Sequence, residues 1–370
     1  MDKVIGIISA NYSYKDMNGL VTFRTISSVP FGGRYRLIDF PLSNMVNSGM
    51  TTVGVVLPIP HQNRSLLDHI GFGKEWTLNR KVGGLFFLPG SHAGTQYMSC
   101  EFPLQDLEQN KEYLTRTEAN YVVVSSSNNV YNIDYRPVVQ ELEQKHADIM
   151  LVCKPDMPHY PNVLRVTADS ENRVTDLSRK LSSNSFTFIN TFVIRRKILL
   201  DLLINFNGEG CEDAMVAIRE NLRDLDVRVY FFPGYVGMIS SVSDYFRCSQ
   251  DVLRSEVRKE LFFSQRIIRT KVHDDVPTRF YRNAVVSNSL INAGCSIEGT
   301  VENSILFRGV QVKKGAVVRN SIIMSHVQIG QNAFLENTIM DKNFIIQDGE
   351  KYCGSPEHPF VGEKRIIQLN

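Results

Sequence analysis

The sequence carries almost no net charge: 41 basic residues stand against 39 acidic ones, leaving +2. A field that weak gives no reason to expect nucleic acid or a membrane surface as partner. Basic residues gather only briefly, at Arg254, Arg258, Lys259, Arg266, Arg269 and Lys271, and a solvated helix and linker account for them. Cysteine is sparse and scattered, at Cys100, Cys153, Cys211, Cys248, Cys295 and Cys353. No C-x-x-C pair or His/Cys grouping is present, which argues against structural zinc and suits reduced thiols in a cytoplasmic protein. Long apolar runs are missing too, none approaching the roughly twenty residues of a membrane span. The short run at Met1–Ile8 lacks a signal peptide's apolar stretch and cleavage site, so it reads as the start of a fold.

At 370 residues the chain is long enough for two domains. Its densest stretch is Val29–Asn44, VPFGGRYRLIDFPLSN. Gly32-Gly33 permits a sharp bend or a close backbone approach, and Arg34 and Arg36 flank Tyr35. Asp39 before Phe40-Pro41 reads as a helix N-cap with proline in the first turn, and Gly49 as the stop. In isolation this is a loop feeding a core helix.

β-Branched runs recur at Val4–Ser9, Val53–Leu57, Tyr121–Ser125, Asp148–Cys153 and Val227–Phe232. Helical spacing recurs between them, at Asp39–Ser48, Arg136–His146, Lys197–Phe206 and Asp213–Leu222. That alternation predicts a mostly parallel α/β sheet over residues 1–242. A further amphipathic stretch at Ser243–Leu261 and a charged, aperiodic segment from Phe262 to Phe280 make residues 243–282 a helix and linker. Beyond them Ile305, Ile322 and Ile339 recur at a fixed interval, and so do Val312, Ile329 and Ile346. Repeats this short bury their apolar side only against their neighbours, which predicts a left-handed parallel β-helix within 283–370, its coils from about Asn283 to Gly349 and then a tail.

Together, FGGRYRLIDFPLSNMVNSGM between the first two strands, the Gly94-Thr95 pair, the YVVV strand with Tyr131 beyond it and the repeats resemble the bacterial glucose-1-phosphate adenylyltransferases, also called ADP-glucose pyrophosphorylases. The resemblance covers essentially the whole chain and implies a Rossmann-like nucleotidyltransferase domain followed by a C-terminal left-handed parallel β-helix. Family members join glucose 1-phosphate to the adenylyl group of ATP, releasing pyrophosphate, and are usually tetramers regulated by metabolites. Such chemistry needs backbone N–H groups around the triphosphate and Mg²⁺ held by carboxylates.

Against that pattern the chain departs at three places. The family's glycine-rich loop after strand one is here Ser9-Ala10-Asn11-Tyr12, followed by Ser13 and Tyr14, with no glycine until Gly19. The family's two metal aspartates fall at Asn128 and Met238, a weak neutral ligand and a soft one. The family's E-K-P motif reads Arg179-Lys180-Leu181, which leaves Lys180 either to pair with a sugar phosphate or to stand as an exposed surface lysine, while the acidic neighbour is replaced by arginine.

The resemblance is closest to the D-type subunit of Gram-positive bacteria. It implies a catalytically impaired, regulatory chain that holds no metal or cofactor itself and assembles with a catalytic paralogue into a hetero-tetramer, where Mg²⁺ is expected in the partner. Lys180, Arg24, Arg34 and Arg36 are candidate anion-binding residues, for a sugar phosphate or a phosphorylated effector, with homo-oligomerisation of the chain alone as a further expectation. For the arginines, structural pairing with acidic residues is the competing reading. The rival functions are an active nucleotidyltransferase using Asp16 or Asp134 as substitute metal ligand, a CoA-dependent β-helix acyltransferase using His326, and a scaffold that binds nothing.

Overall fold

The computed structural model describes residues 3–363 except 13, 18, 59, 92–99, 156, 158–159, 161–162, 181–184 and 207–211, and leaves the side chains of 60–62 undescribed. The chain divides into two compact units. The first comprises Met1–Tyr14, Ile38–Met238 and Gln265–Arg269; the second comprises Lys15–Leu37, Ile239–Ser264 and Thr270–Asn370. The boundary at Leu37/Ile38 therefore cuts the Val29–Asn44 stretch in two.

The first unit is built on a nine-stranded sheet. Its strands are β1 (Val4–Ser9), β2 (Thr52–Leu57), β3 (Gly84–Pro89), β4 (Tyr121–Ser126), β5 (Ile149–Lys154), β6 (Arg165–Ala168), β7 (Val174–Ser178), β8 (Ser185–Arg195) and β9 (Val227–Phe231). The order is β7-β6-β8-β4-β1-β2-β3, with β5 joined to both β8 and β9. Pairs β4/β1, β1/β2 and β2/β3 are parallel, while β8 runs antiparallel to its neighbours. Valine and isoleucine fill β1, β2 and β4 because both faces are covered, one cluster containing Ile8, Val53 and Val123 and the other Ile7, Val56 and Val124. The chain steps from β1 outward to β2 and β3 and returns on the other side at β4. The carboxyl ends of β1 and β4 thus form a topological switch point, where open α/β sheets take ligands.

Helix Asp39–Asn47 starts one residue earlier than an Asp39 cap requires. Ile38 holds the cap position without a side-chain bond, and the Asp39 carboxylate instead meets His69 Nε2 at 2.5 Å, both groups buried. A distant partner satisfies that carboxylate better than its own helix end. Gly49, at φ +90, supplies the expected stop.

The second unit contains helices Val242–Asp251 and Ser255–Phe262 where sequence spacing suggested one stretch. Arg258 breaks the run by donating to the carbonyls of Val252 (3.3 Å) and Leu253 (3.0 Å), so that the first helix's end is satisfied without continuing it. The β-helix follows, with three five-stranded parallel sheets as its sides. Its first coil begins at Arg279–Phe280 and its last strand is Phe360–Gly362, so the ladders run beyond the span that the sequence repeat delimits.

Each coil turns at an asparagine with positive φ, as at Asn303, Asn320 and Asn337, because a short amide tolerates the left-handed region. Just after each, a hydroxyl bonds to the next coil, 17 residues on: Ser321 N–H donates to Ser304 Oγ (3.0 Å) and Thr338 N–H to Ser321 Oγ (3.1 Å). Inside, Ile297, Val312, Ile329 and Ile346 form one of the stacked apolar rows.

Candidate functional site

The loop leaving β1 at the switch point is held by side chains, with no glycine involved. Ser9 Oγ donates to the Glu101 carbonyl (2.6 Å), and Ala10 N–H to the Val56 carbonyl (3.2 Å). Asn11 Nδ2 donates to the Ser91 carbonyl (2.8 Å) and to both carboxylate oxygens of Asp106 (3.1 and 3.0 Å). Asp106 also accepts Ser91 N–H (2.7 Å) and Ser91 Oγ (2.5 Å). Burial raises its carboxyl pKa above the ordinary range, while the Ser91 and Asn11 bonds pull the other way.

Two tyrosines fill the space between the ends of β1 and β4. Tyr12, buried, donates to Asn128 Oδ1 (3.0 Å), accepts Ser127 N–H (2.9 Å) and shares a 3.0 Å bond with Ser127 Oγ. Tyr14 lies edge-on to Tyr12 with ring centroids 5.7 Å apart. Its hydroxyl accepts from Asn128 Nδ2 (3.4 Å) and donates to Glu101. Burial pushes the pKa of both phenols upward, so both remain protonated donors. Burial also raises Glu101 to about 7, opposed by the Tyr14 bond and reinforced by the negative charge of Asp213. Sequence reasoning placed Tyr12 and Tyr14 in this loop but missed Glu101 and Asp106, which meet it across 87 and 95 residues, so that no local pattern announces them.

Asn128 and Met238 do come together. Gly237–Met238 pairs antiparallel with Asn129–Val130, which sets Met238 opposite Asn129. They offer no Mg²⁺ site. Both polar atoms of the Asn128 amide are engaged by the tyrosines, and Met238 is buried in the apolar core with its N–H on the Tyr160 hydroxyl (3.0 Å). Among the described residues no group of three or more His, Cys, Asp and Glu is placed to hold a metal ion. Of the substitute ligands, Asp134 caps helix Tyr135–Gln144 and pairs with Arg136 (2.6 Å), and Asp16 is exposed in a single 3₁₀ turn. Lys180 is exposed just past the end of β7, and Leu181, Gly94-Thr95 and Cys211 lie outside the described residues.

The second unit holds a different cluster. Arg24 is buried and forms an ion pair with Asp341. Beside them Lys342 is held down to about 7, first by burial and then by the positive charges of Arg36 and Arg24, with Arg308 adding a smaller push and Asp341 opposing. Arg308 reaches one carboxylate, Asp275, at 3.8 Å. Arg24, Arg36, Arg308 and Lys342 thus gather near Asp341, and Arg308 also reaches Asp275. Arg24 and Arg36 both lie near Lys342, and Arg24 makes the kind of pair with an acidic residue that stood as the competing reading, whereas Arg34 is exposed with its guanidinium over the Tyr35 ring at 5.4 Å. Arg308, Asp341 and Lys342 sit within the β-helix coils, and the Arg24–Asp341 contact spans 317 residues, so nothing local marks them. His326 occupies an exposed β-helix corner at φ +63.

Residues 24–191 match the Nucleotidyl transferase family and residues 272–358 the family described as GlmU-like, C-terminal hexapeptide. Fold and matches together define a nucleotidyltransferase domain followed by a left-handed hexapeptide β-helix. The glycogen biosynthesis protein GlgD of Bacillus subtilis is 34% identical over 368 residues, covering 99% of this chain and 97% of that protein. That of Geobacillus stearothermophilus is 36% identical over 370 residues, covering 99% and 98%. The glucose-1-phosphate adenylyltransferase of Geobacillus stearothermophilus is 30% identical over 329 residues, covering 85% and 83%. The chain belongs to the GlgD family of glycogen biosynthesis proteins, related to the glucose-1-phosphate adenylyltransferases. No helix among the described residues is long and apolar enough to cross a membrane.

Proposed function

We propose that this chain is a catalytically impaired, regulatory subunit of glucose-1-phosphate adenylyltransferase in cytoplasmic glycogen biosynthesis. One observation carries the reading: at the switch point, Tyr12 and Tyr14 occupy the end of the sheet and take up both polar atoms of Asn128. A triphosphate needs open backbone N–H groups and a divalent cation there. Instead, Ser127 N–H is committed to a phenol, and Glu101, whose pKa is raised to about 7, holds Tyr14. Mg²⁺ and the reacting nucleotide belong to the catalytic partner, and this chain biases that partner's equilibrium between less and more active states. Catalytic and regulatory chains together form a hetero-tetramer.

The effector is an anion, and Arg24, Arg36, Arg308 and Lys342 are its site. The positive charges of Arg36, Arg24 and Arg308 lower the affinity of Lys342 for its proton, and a bound phosphate dianion offsets that repulsion. The test is co-expression with a catalytic paralogue, measuring pyrophosphate release with ATP, glucose 1-phosphate and Mg²⁺. The chain alone should give none, and its presence should raise the partner's turnover or shift its effector response. Robust turnover by this chain alone would overturn the proposal, and so would a partner that behaves identically with and without it.

A further inference from the structure

Residues 263 to 278, between helix Ser255–Phe262 and the β-helix, form no helix or strand, yet part of this stretch is fastened down. Gln265–Arg269 belongs to the first unit and is gripped there by side chains. Buried Asn132 donates from Nδ2 to the Arg266 carbonyl (2.7 Å). Arg266 donates back, from Nε to Asn132 Oδ1 and from Nη2 to the Asn132 carbonyl, both at 3.3 Å. Asn47 Nδ2 donates to the Ile267 carbonyl (3.0 Å), and Ser43 Oγ accepts Arg269 N–H (2.8 Å). Ile268 is buried, whereas Ile267 is exposed. A segment held mainly by polar side chains, with little apolar burial, is of the kind that opens without global unfolding.

The same supports hold the chain beside Tyr12 and Tyr14. Helix Asp39–Asn47 grips the stretch through Ser43 and Asn47, and with Asn44 Nδ2 it also holds the Tyr131 carbonyl (3.0 Å). Asn132 ends the run of residues 127 to 132, whose start gives Ser127 N–H to the Tyr12 hydroxyl and the Asn128 amide to both phenols. Lifting Gln265–Arg269 strips the buried Asn132 amide of its Arg266 partners. That costs desolvation unless Asn132 shifts toward water and takes its neighbours with it.

We propose that Gln265–Arg269 is a strap that docks and undocks as a unit on the first domain, and that its docked state holds the Tyr12 and Tyr14 plug in place. Undocking loosens residues 127 to 132 and with them the phenol contacts. The chain runs from helix Ser255–Phe262 through the strap into the β-helix, so a pull on either neighbour reaches the strap covalently. Coupling of this kind is reciprocal: whatever loosens the plug also loosens the strap. The device lies within one chain and stands whether or not that chain regulates a partner.

The test is native-state hydrogen exchange of the full-length chain, read by mass spectrometry at residues 265–269 and 127–132. In the wild type both segments should exchange through one shared opening, well below the global unfolding seen in β4. Asn47→Ala removes a strap bond without touching residues 127–132. It should raise exchange in both segments by the same factor, about 2- to 10-fold, the change that losing one ordinary hydrogen bond gives. Tyr12→Phe, which removes the acceptor of Ser127 N–H, should raise exchange in the strap as well. The proposal is overturned if Asn47→Ala loosens the strap and leaves residues 127–132 at the wild-type rate, or if it loosens neither. A strap unmoved by Tyr12→Phe, or one that exchanges only with global unfolding in the wild type, overturns it too. Exchange in the isolated chain leaves the co-expression result untouched, so the two readings are separable.

Discussion

Glu101 shows how one residue can tie the filled site to pH. Its carboxyl is raised from the ordinary 4.5 to about 7, chiefly by burial. The folded chain therefore holds this proton more tightly than the unfolded chain does, and stability falls as pH rises through that window. The contribution is fully present below about 4.5 and lost above about 7. Glu101→Gln keeps an acceptor for the Tyr14 hydroxyl and removes the titration. We expect its thermal midpoint to exceed wild type at pH 8 and to match it more closely at pH 5, measured by melting across that range. Equal midpoints at pH 8 would show that the raised pKa has no bearing on folding.

Among the elements, the β-helix and the cation cluster behave differently. The hydroxyl ladder is a cooperative structural device, since Ser321 Oγ accepts Thr338 N–H and donates to the Arg319 carbonyl (2.5 Å) while fully buried. Ser321→Ala leaves the buried Thr338 N–H without its acceptor, while the Arg319 carbonyl keeps Asn337 N–H (3.2 Å). It should cost about 1–3 kcal/mol in denaturant unfolding. A loss below a few tenths would mean that the coil turn is held by Asn320 and the strand pairs alone.

The cation cluster is sensitive to pH in a way that binding exposes. Lys342, held at about 7 first by burial and then by the charges of Arg36 and Arg24, is largely neutral at pH 8, and a bound phosphate restores its charge. Binding of inorganic phosphate should therefore take up a proton above pH 7 and weaken as pH rises. Calorimetry at pH 8 in two buffers of different ionisation enthalpy reads that uptake. Lys342→Gln should abolish it, and phosphate binding without proton uptake in the wild type would exclude Lys342 from the site.

For the whole molecule, regulation is a coupling free energy between chains. Typical couplings of about 1–3 kcal/mol correspond to a 5- to 150-fold shift in effector response, which is the size of change to look for in the co-expressed enzyme. The chain pattern made much of this fold legible. The β-branched runs became β1, β2, β4, β5 and β9, and the repeated isoleucines became the β-helix rows, because periodicity reports directly which side of an element is buried. Locally readable substitutions were equally plain, such as the missing glycine after β1 and Asn128 and Met238 in place of acids.

Tertiary structure alone decided the rest. Asp39 left its helix end for His69, Arg258 split one amphipathic stretch into two helices, and Glu101 came under Tyr14. Arg24 and Arg36 gained Lys342 as a neighbour, while Arg34 stayed exposed. Each depends on a charge or hydroxyl finding its partner far along the chain. A repeating pattern of apolar residues encodes burial, but which buried polar groups meet is fixed only once the elements have packed.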